Sequence, residues 1–142
     1  MPQQYITPND ILPGTLAYTN QYAFSGNTTN STETEIFING VSNSRLSVAN
    51  NKTLFYSIDI MASRTDVAGD YGAFKASGVV NRNSSGTVSD VGDIFQVIVV
   101  RTNNNYDCDA RADNTNKTIN IYVTGASAQN ISWNAVVTTV QV

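Results

Sequence analysis

The 142-residue chain contains no histidine. That absence removes the commonest general base, the Ser-His-Asp arrangement and most zinc sites together. Cysteine is nearly missing as well. With Cys108 alone no intramolecular disulfide can close, so the fold must be held by packing, which a chain of this length can supply. Charge is sparse, 13% of residues, with eight Lys and Arg against eleven Asp and Glu and no basic block. Non-specific nucleic-acid binding draws on clustered cations that neutralise phosphates, so nucleic acid is not an expected partner. Long apolar runs are lacking: Val97-Ile-Val-Val100 is strand-sized and far short of a membrane span. The opening Met1-Pro-Gln-Gln-Tyr-Ile6 has neither the basic nor the apolar region of a signal peptide, so a cytoplasmic product without membrane insertion is expected. No glycine-rich phosphate cradle occurs; Gly125-Ala-Ser and Asn39-Gly-Val match none.

What the chain does hold is Asn, Ser and Thr in abundance around short alternating apolar segments. Hydroxyl-bearing strand faces and polar turns account for that composition better than amphipathic helices do. Strands are expected at Thr15–Phe24, Thr34–Asn39, Leu46–Ala49, Thr53–Ala62, Tyr71–Val80, a short hairpin arm at Thr87–Asp90, Ile94–Arg101, Tyr106–Asp113, Lys117–Val123 and Ile131–Val142. Ser25–Ser31 is expected as a polar loop, and Asn39-Gly40 is a strong tight-turn signal. Leu54, Tyr56, Ile58 and Ile60 share one face of their strand; Gly72, Phe74, Ala76, Gly78 and Val80 share one face of the next. Glycines there signal a bulge or a close backbone approach. Ile94–Arg101 is apolar on both faces, which predicts a central strand. The expected fold is all-β: an antiparallel two-sheet sandwich of jelly-roll type. No 20–50-residue repeat argues for a solenoid or propeller.

All three prolines, Pro2, Pro8 and Pro13, fall in the first thirteen residues. Proline fixes φ and removes a ladder donor, so residues 1–14 read as an extended arm, ahead of a single β-domain at residues 15–142. Tyr5, Ile6, Ile11 and Leu12 give the arm apolar anchors that a solvated tail would not need. They are the candidate assembly contacts, suited to lying on a neighbouring subunit.

The residues that could carry chemistry are few. Glu33/Glu35 and Asp107/Asp109 are i,i+2 pairs, which on a strand point to one face roughly 6.5–7 Å apart. Such spacing could hold a glycosidase pair or Ca²⁺; a solvated strand face, with Arg111 beside Asp109, explains them more simply. Asp66–Asp70 and Asp90–Asp93 are weaker Ca²⁺ candidates. No catalytic residue, cofactor or metal ligand is therefore assigned. The Asn-x-Ser/Thr sequons at Asn27, Asn30, Asn51, Asn83, Asn116 and Asn130 follow from composition. Cys108 and Trp133 are expected in the core, and Tyr18, Tyr22, Tyr71 and Tyr106 are packing residues or, gathered together, a sugar-stacking surface.

Four segments carry a family resemblance. Phe74-Lys-Ala-Ser-Gly-Val-Val-Asn-Arg82 resembles the aromatic-x-x-x-Gly-hydrophobic-hydrophobic-x-Arg strand of bacteriophage tail-fibre β-domains, and Gly86-Thr-Val88 resembles the hairpin that follows it. Asp109–Gly125 is similar to their penultimate strand pair. Ile131–Val142, with its tryptophan and Thr-Thr-Val ending, is similar to their closing strand. The resemblance covers residues 71–142 and implies a virion structural protein on the particle surface, made in the host bacterial cytoplasm. It implies a homotrimer and partners among the major capsid protein or other virion proteins. Passing from Met1 through a short arm straight into a β-domain, the chain suits a capsid cement or decoration protein that stabilises the shell. A tail-fibre or receptor-binding tip recognising host-surface glycan is the alternative. A carbohydrate-acting enzyme or unrelated binding module comes third, weakened by the missing histidine.

Overall fold

The computed structural model describes the backbone of residues 18–142 and side chains from residue 19 onward. The arm of residues 1–14, with Tyr5, Ile6, Ile11 and Leu12, lies outside the described residues. Nine strands follow in order: β1 (Tyr18–Thr28), β2 (Thr34–Ile38), β3 (Leu46–Ser47), β4 (Lys52–Arg64), β5 (Tyr71–Arg82), β6 (Val88–Arg101), β7 (Asp107–Asp113), β8 (Thr118–Thr124) and β9 (Ile131–Gln141). All pairings are antiparallel, along the path β3-β8-β2-β1-β9-β4-β5-β6, with β7 also on β8. The sheet curls into a half-barrel. The all-β, antiparallel part of the sequence expectation is met. A separated two-sheet jelly roll is not what the pairing describes, because β2 joins the two arms by bonding to both β1 and β8.

The curl turns at β1. This strand pairs with β9 over its whole length, from Tyr18↔Gln141 to Thr28↔Ile131, but with β2 only at Phe24 and Ser25. Gly26 sits at the corner, where an added Cβ would come within 2.6 Å of Ile36 Cγ2, so only glycine lets the strands approach. The full ladder with β9 also explains why Ser25–Thr28 continues the strand where a polar loop was expected: ladder pairing outweighs the weak strand preference of Ser, Gly and Asn. Asn39 and Gly40 both have positive φ, 53° and 71°, as a tight Asn-Gly turn needs.

The inward faces follow the alternation. Leu54, Tyr56, Ile58, Ile60 and Ala62 of β4, Phe74, Ala76 and Val80 of β5, Ile119, Ile121 and Val123 of β8, and Ile131, Trp133, Ala135 and Val137 of β9 form one buried cluster. Tyr106, Cys108 and Ala110 join it from the β7 side. Trp133 stands at its centre, fully buried, with Phe74 stacked at 6.3 Å and Tyr106 edge-on at 6.2 Å between ring centroids. Its Nε1–H donates to Thr28 Oγ1 at 2.9 Å, which satisfies the one polar atom of the indole. Gly78 lies under the Tyr56 phenol and beside a register shift between Ser77 and Val79, the close approach and bulge that strand glycines signal.

One expectation is corrected. Ile94–Arg101 does not run through the middle of the fold. It is the C-terminal half of β6, which ends the strand path and pairs only with β5. The short arm at Thr87–Asp90 belongs to the same strand, joined through Gly92 at φ 72°. After Val88, every β6 residue is exposed or half-exposed. An apolar run on both faces is the pattern of a doubly covered strand. Here it belongs to a strand whose inward face only partly reaches the core, through Ile94, and whose outward face no other layer covers among the described residues.

Candidate functional site

The outer surface of the half-barrel divides into two chemically different halves. Over β2, β7 and β8 it is polar and internally saturated. Arg45 grips Glu35 with Nε at 2.7 Å and Nη2 at 3.2 Å, and its guanidinium lies 5.2 Å over the Phe37 ring. Arg111 donates from Nη2 to Glu33 at 2.6 Å and from Nε to Asp109 at 2.8 Å, and lies 4.4 Å over the Tyr122 ring. These bonds to Glu33, then to Asp109, hold the Arg111 guanidinium well above the usual arginine range. The two acidic pairs singled out in the sequence are thus brought to one face, with Arg111 between Glu33 and Asp109. A cation already occupies the place where a glycosidase pair or Ca²⁺ would need free carboxylates.

The weaker acidic candidates are engaged in the same way. Arg64 donates to Asp66 at 2.7 Å and to Asp70 at 3.1 Å, and Thr102 Oγ1 donates to Asp70 at 3.0 Å. The Arg64 contact holds Asp66 below the usual carboxylate range. Asp90 accepts the Ala112 N–H. Among the described residues, no three His, Cys, Asp or Glu side chains gather as a metal site would require. Burial pushes the Cys108 thiol up to about 11, the opposite of a reactive cysteine. Of the four tyrosines, the Tyr18 side chain lies outside the described residues; the other three do not gather, since Tyr106 is in the core, Tyr22 packs at its margin and Tyr71 is exposed at the start of β5.

A seam separates β6 from β7, and side chains close it instead of a ladder. Gln96 Nε2 donates to the Cys108 carbonyl and, at 3.0 Å, to Asp107 Oδ1. Arg101 Nη1 donates to the Tyr106 carbonyl at 2.9 Å, and the Val88 N–H donates to Asn114 Oδ1 at 2.9 Å. Inward-pointing polar groups of β6 therefore satisfy the β7 edge, a recognised way of blunting a sheet edge. The edge of β6 away from β5 has no strand partner among the described residues.

Over β1, β9, β4, β5 and β6 the outer surface exposes bulky apolar residues among small polar ones. Cross-strand register sorts it into four rows. Asn134, Met61 and Ala73 form the first; Val136, Asp59 and Lys75 the second; Thr138, Ser57 and Ser77 the third; Val140, Phe55 and Val79 the fourth. On β6, Val97 continues the second row, Phe95 the third and Val91 the fourth. Phe95 is 66% exposed, Val99 57%, Met61 55% and Phe55 46%. The one ion pair on this surface is Lys75–Asp59 at 2.7 Å, both side chains largely in solvent. An open groove of about 820 Å³ runs over the first two rows, floored by Ala23 and Ala73 and flanked by Met61, Val99, Val136 and Asn134. Exposed apolar residues grouped in this way, at Met61, Val99 and Val136 around the groove and at Phe55, Phe95, Val91 and Val140 beyond it, mark an interaction site.

Sequence reasoning placed the contacts in Tyr5, Ile6, Ile11 and Leu12 and missed this surface. Its second face on β4, Phe55, Ser57, Asp59 and Met61, was visible as an alternating set, but nothing local shows that it stays uncovered.

No protein-family model matches the chain, and no curated protein matches it. A solved structure with a similar strand arrangement is the tailspike protein of Acinetobacter baumannii phage AM24, at a TM-score of 0.46 and 10% identity, over 86% of this chain and 26% of that one. The chain spans about a quarter of that tailspike's length.

Proposed function

We propose that this chain is a non-enzymatic structural β-domain of a bacteriophage particle: a capsid cement or decoration protein on the virion surface. The observation that carries this reading is the apolar outer surface over β1, β9, β4, β5 and β6, whose bulky residues are open to solvent beside a polar half that is internally paired. Apolar area at this scale is costly in water and is offset by burial against protein. The resemblance of residues 71–142 to phage tail-fibre β-domains names the class of particle. Its engaged carboxylates and high-pKa thiol support a binding role over catalysis. In this reading the arm, through Tyr5, Ile6, Ile11 and Leu12, seats on the major capsid protein or a neighbouring subunit. A homotrimer is the assembly that the resemblance implies.

A receptor-binding tip of a tail fibre is the second reading. The groove favours it, since its volume suits a small ligand and Asn39, Asp59, Lys75 and Asn134 place polar atoms around an apolar floor. Host glycan would be the ligand.

Quantitative mass spectrometry of purified particles separates the two. A copy number near that of the major capsid protein is the expected result. A handful of copies per particle would move the protein to the tail, and absence from particles would overturn both readings.

A further inference from the structure

We infer that the apolar outer surface pairs with the same surface of a second copy of this chain, sheet against sheet, about a two-fold axis. This deepens the reading above and rests on it only in taking the surface as a protein contact.

Area is the first argument. Five strands at about 4.8 Å spacing and about eleven residues at roughly 3.3 Å each cover on the order of 800 Å². That is about what each partner contributes to a standard stable interface. A single extended segment, such as residues 1–17 laid along the sheet, is one strand wide and covers roughly a fifth of it.

Order along the strands is the second. The small-floored groove at Ala73 lies at one end, the bulky row at Phe55 at the other, with the Asp59–Lys75 row and the Ser57–Ser77 row between. A two-fold axis that crosses the strands between those middle rows superposes each row on its complement. Phe55 of one copy meets the groove of the other, and the paired charges meet hydroxyls. A self-complementary patch of this kind is what an isologous contact requires.

Charge is the third. The surface carries one closed ion pair, Asp59–Lys75 at 2.7 Å, and one further carboxylate, Asp93 of β6, which lies to one side of the two-fold axis and so does not meet its own symmetry mate. The polar half, with its fixed Arg45 and Arg111 pairs, carries more charge.

Sedimentation velocity and light scattering on the purified full chain at about 50 µM test the inference. A dimer, or a hexamer of two trimers joined across the two-fold axis, is expected. Phe55→Asp and Met61→Asp should each halve its mass while the far-UV spectrum stays unchanged, since both side chains point outward, and should lower the urea midpoint only to that of the dilute, dissociated parent. Val67→Asp, an exposed apolar residue in the β4–β5 loop beyond the four rows, should leave the mass as it was. A monomer, a trimer indifferent to Phe55→Asp and Met61→Asp, or a monomer that associates only after removal of residues 1–17 would each overturn it. The last result would assign the surface to the chain's own N-terminal segment. Virion copy number is measured separately, so this inference can fail with the cement reading intact, and the reverse.

Discussion

At the residue scale the molecule turns on Trp133. It is the largest fully buried side chain, packed between Phe74 and Tyr106, with its N–H held by Thr28 across the β1–β9 ladder. Tyr106 is held in turn, its hydroxyl donating to Gln129 Oε1 at 2.6 Å. Trp133→Ala empties the centre of the curl and removes contacts to both arms, so a loss of about 3–5 kcal/mol is expected in urea unfolding. Trp133→Phe should lose less, because it keeps ring packing and forgoes mainly the Thr28 bond. A Trp133→Ala protein of parental stability would show that the two arms are not held together through this residue.

Elements are set by their turns as much as by their strands, and the β7–β8 hairpin shows how. Lys117 takes a positive φ of 62° at its end, and Asp113 organises the turn. Its carboxylate accepts the N–H groups of Thr115 at 2.9 Å and Asn116 at 3.0 Å, and the amides of Asn116 at 2.7 Å and Asn120 at 2.8 Å. These donors, the Asn116 side chain first, hold the Asp113 carboxyl down at about 2. The charged form is thus favoured in the folded state relative to the unfolded chain, where an aspartate titrates near 3.9. Its stabilisation is present above about pH 4 and is lost as pH falls through about 2. Asp113→Ala should be less stable than the parent by about 1 kcal/mol at pH 6, with the gap closing toward pH 2 in urea titrations. A gap that does not depend on pH would assign the effect to the turn backbone and not to the charge.

Strand β6 is the element where local pattern and position part company. Its apolar residues carry no sign of whether the next layer is another sheet of the same chain or another molecule. Asp90, Gln96 and Arg101 are the legible hints: three polar groups on one side of an apolar strand, which the fold spends on the β7 edge.

The whole molecule is a half-barrel with a packed interior and one apolar exterior. The buried cluster is drawn from strands β1 to β9 and the loops between them. Removing residues 1–14 should leave far-UV spectrum and urea midpoint within experimental scatter while weakening attachment to particles. Unchanged attachment would rule out Tyr5, Ile6, Ile11 and Leu12 as contacts, and a collapsed midpoint would make the arm part of the core.

What the sequence determined by itself is the all-β class, which side chains share an inward face and the burial of Trp133 and Cys108, because a period of two along a strand is a local property. The missing histidine likewise narrowed the chemistry before any fold was known. Only the tertiary structure decided that Arg111 sits between Glu33 and Asp109, which are far apart in the chain. It also decided that β6 is an edge and that the second face of β4 stays in solvent. Alternation tells which side chains share a face. What lies opposite that face depends on how distant strands pair and on which way the sheet curls.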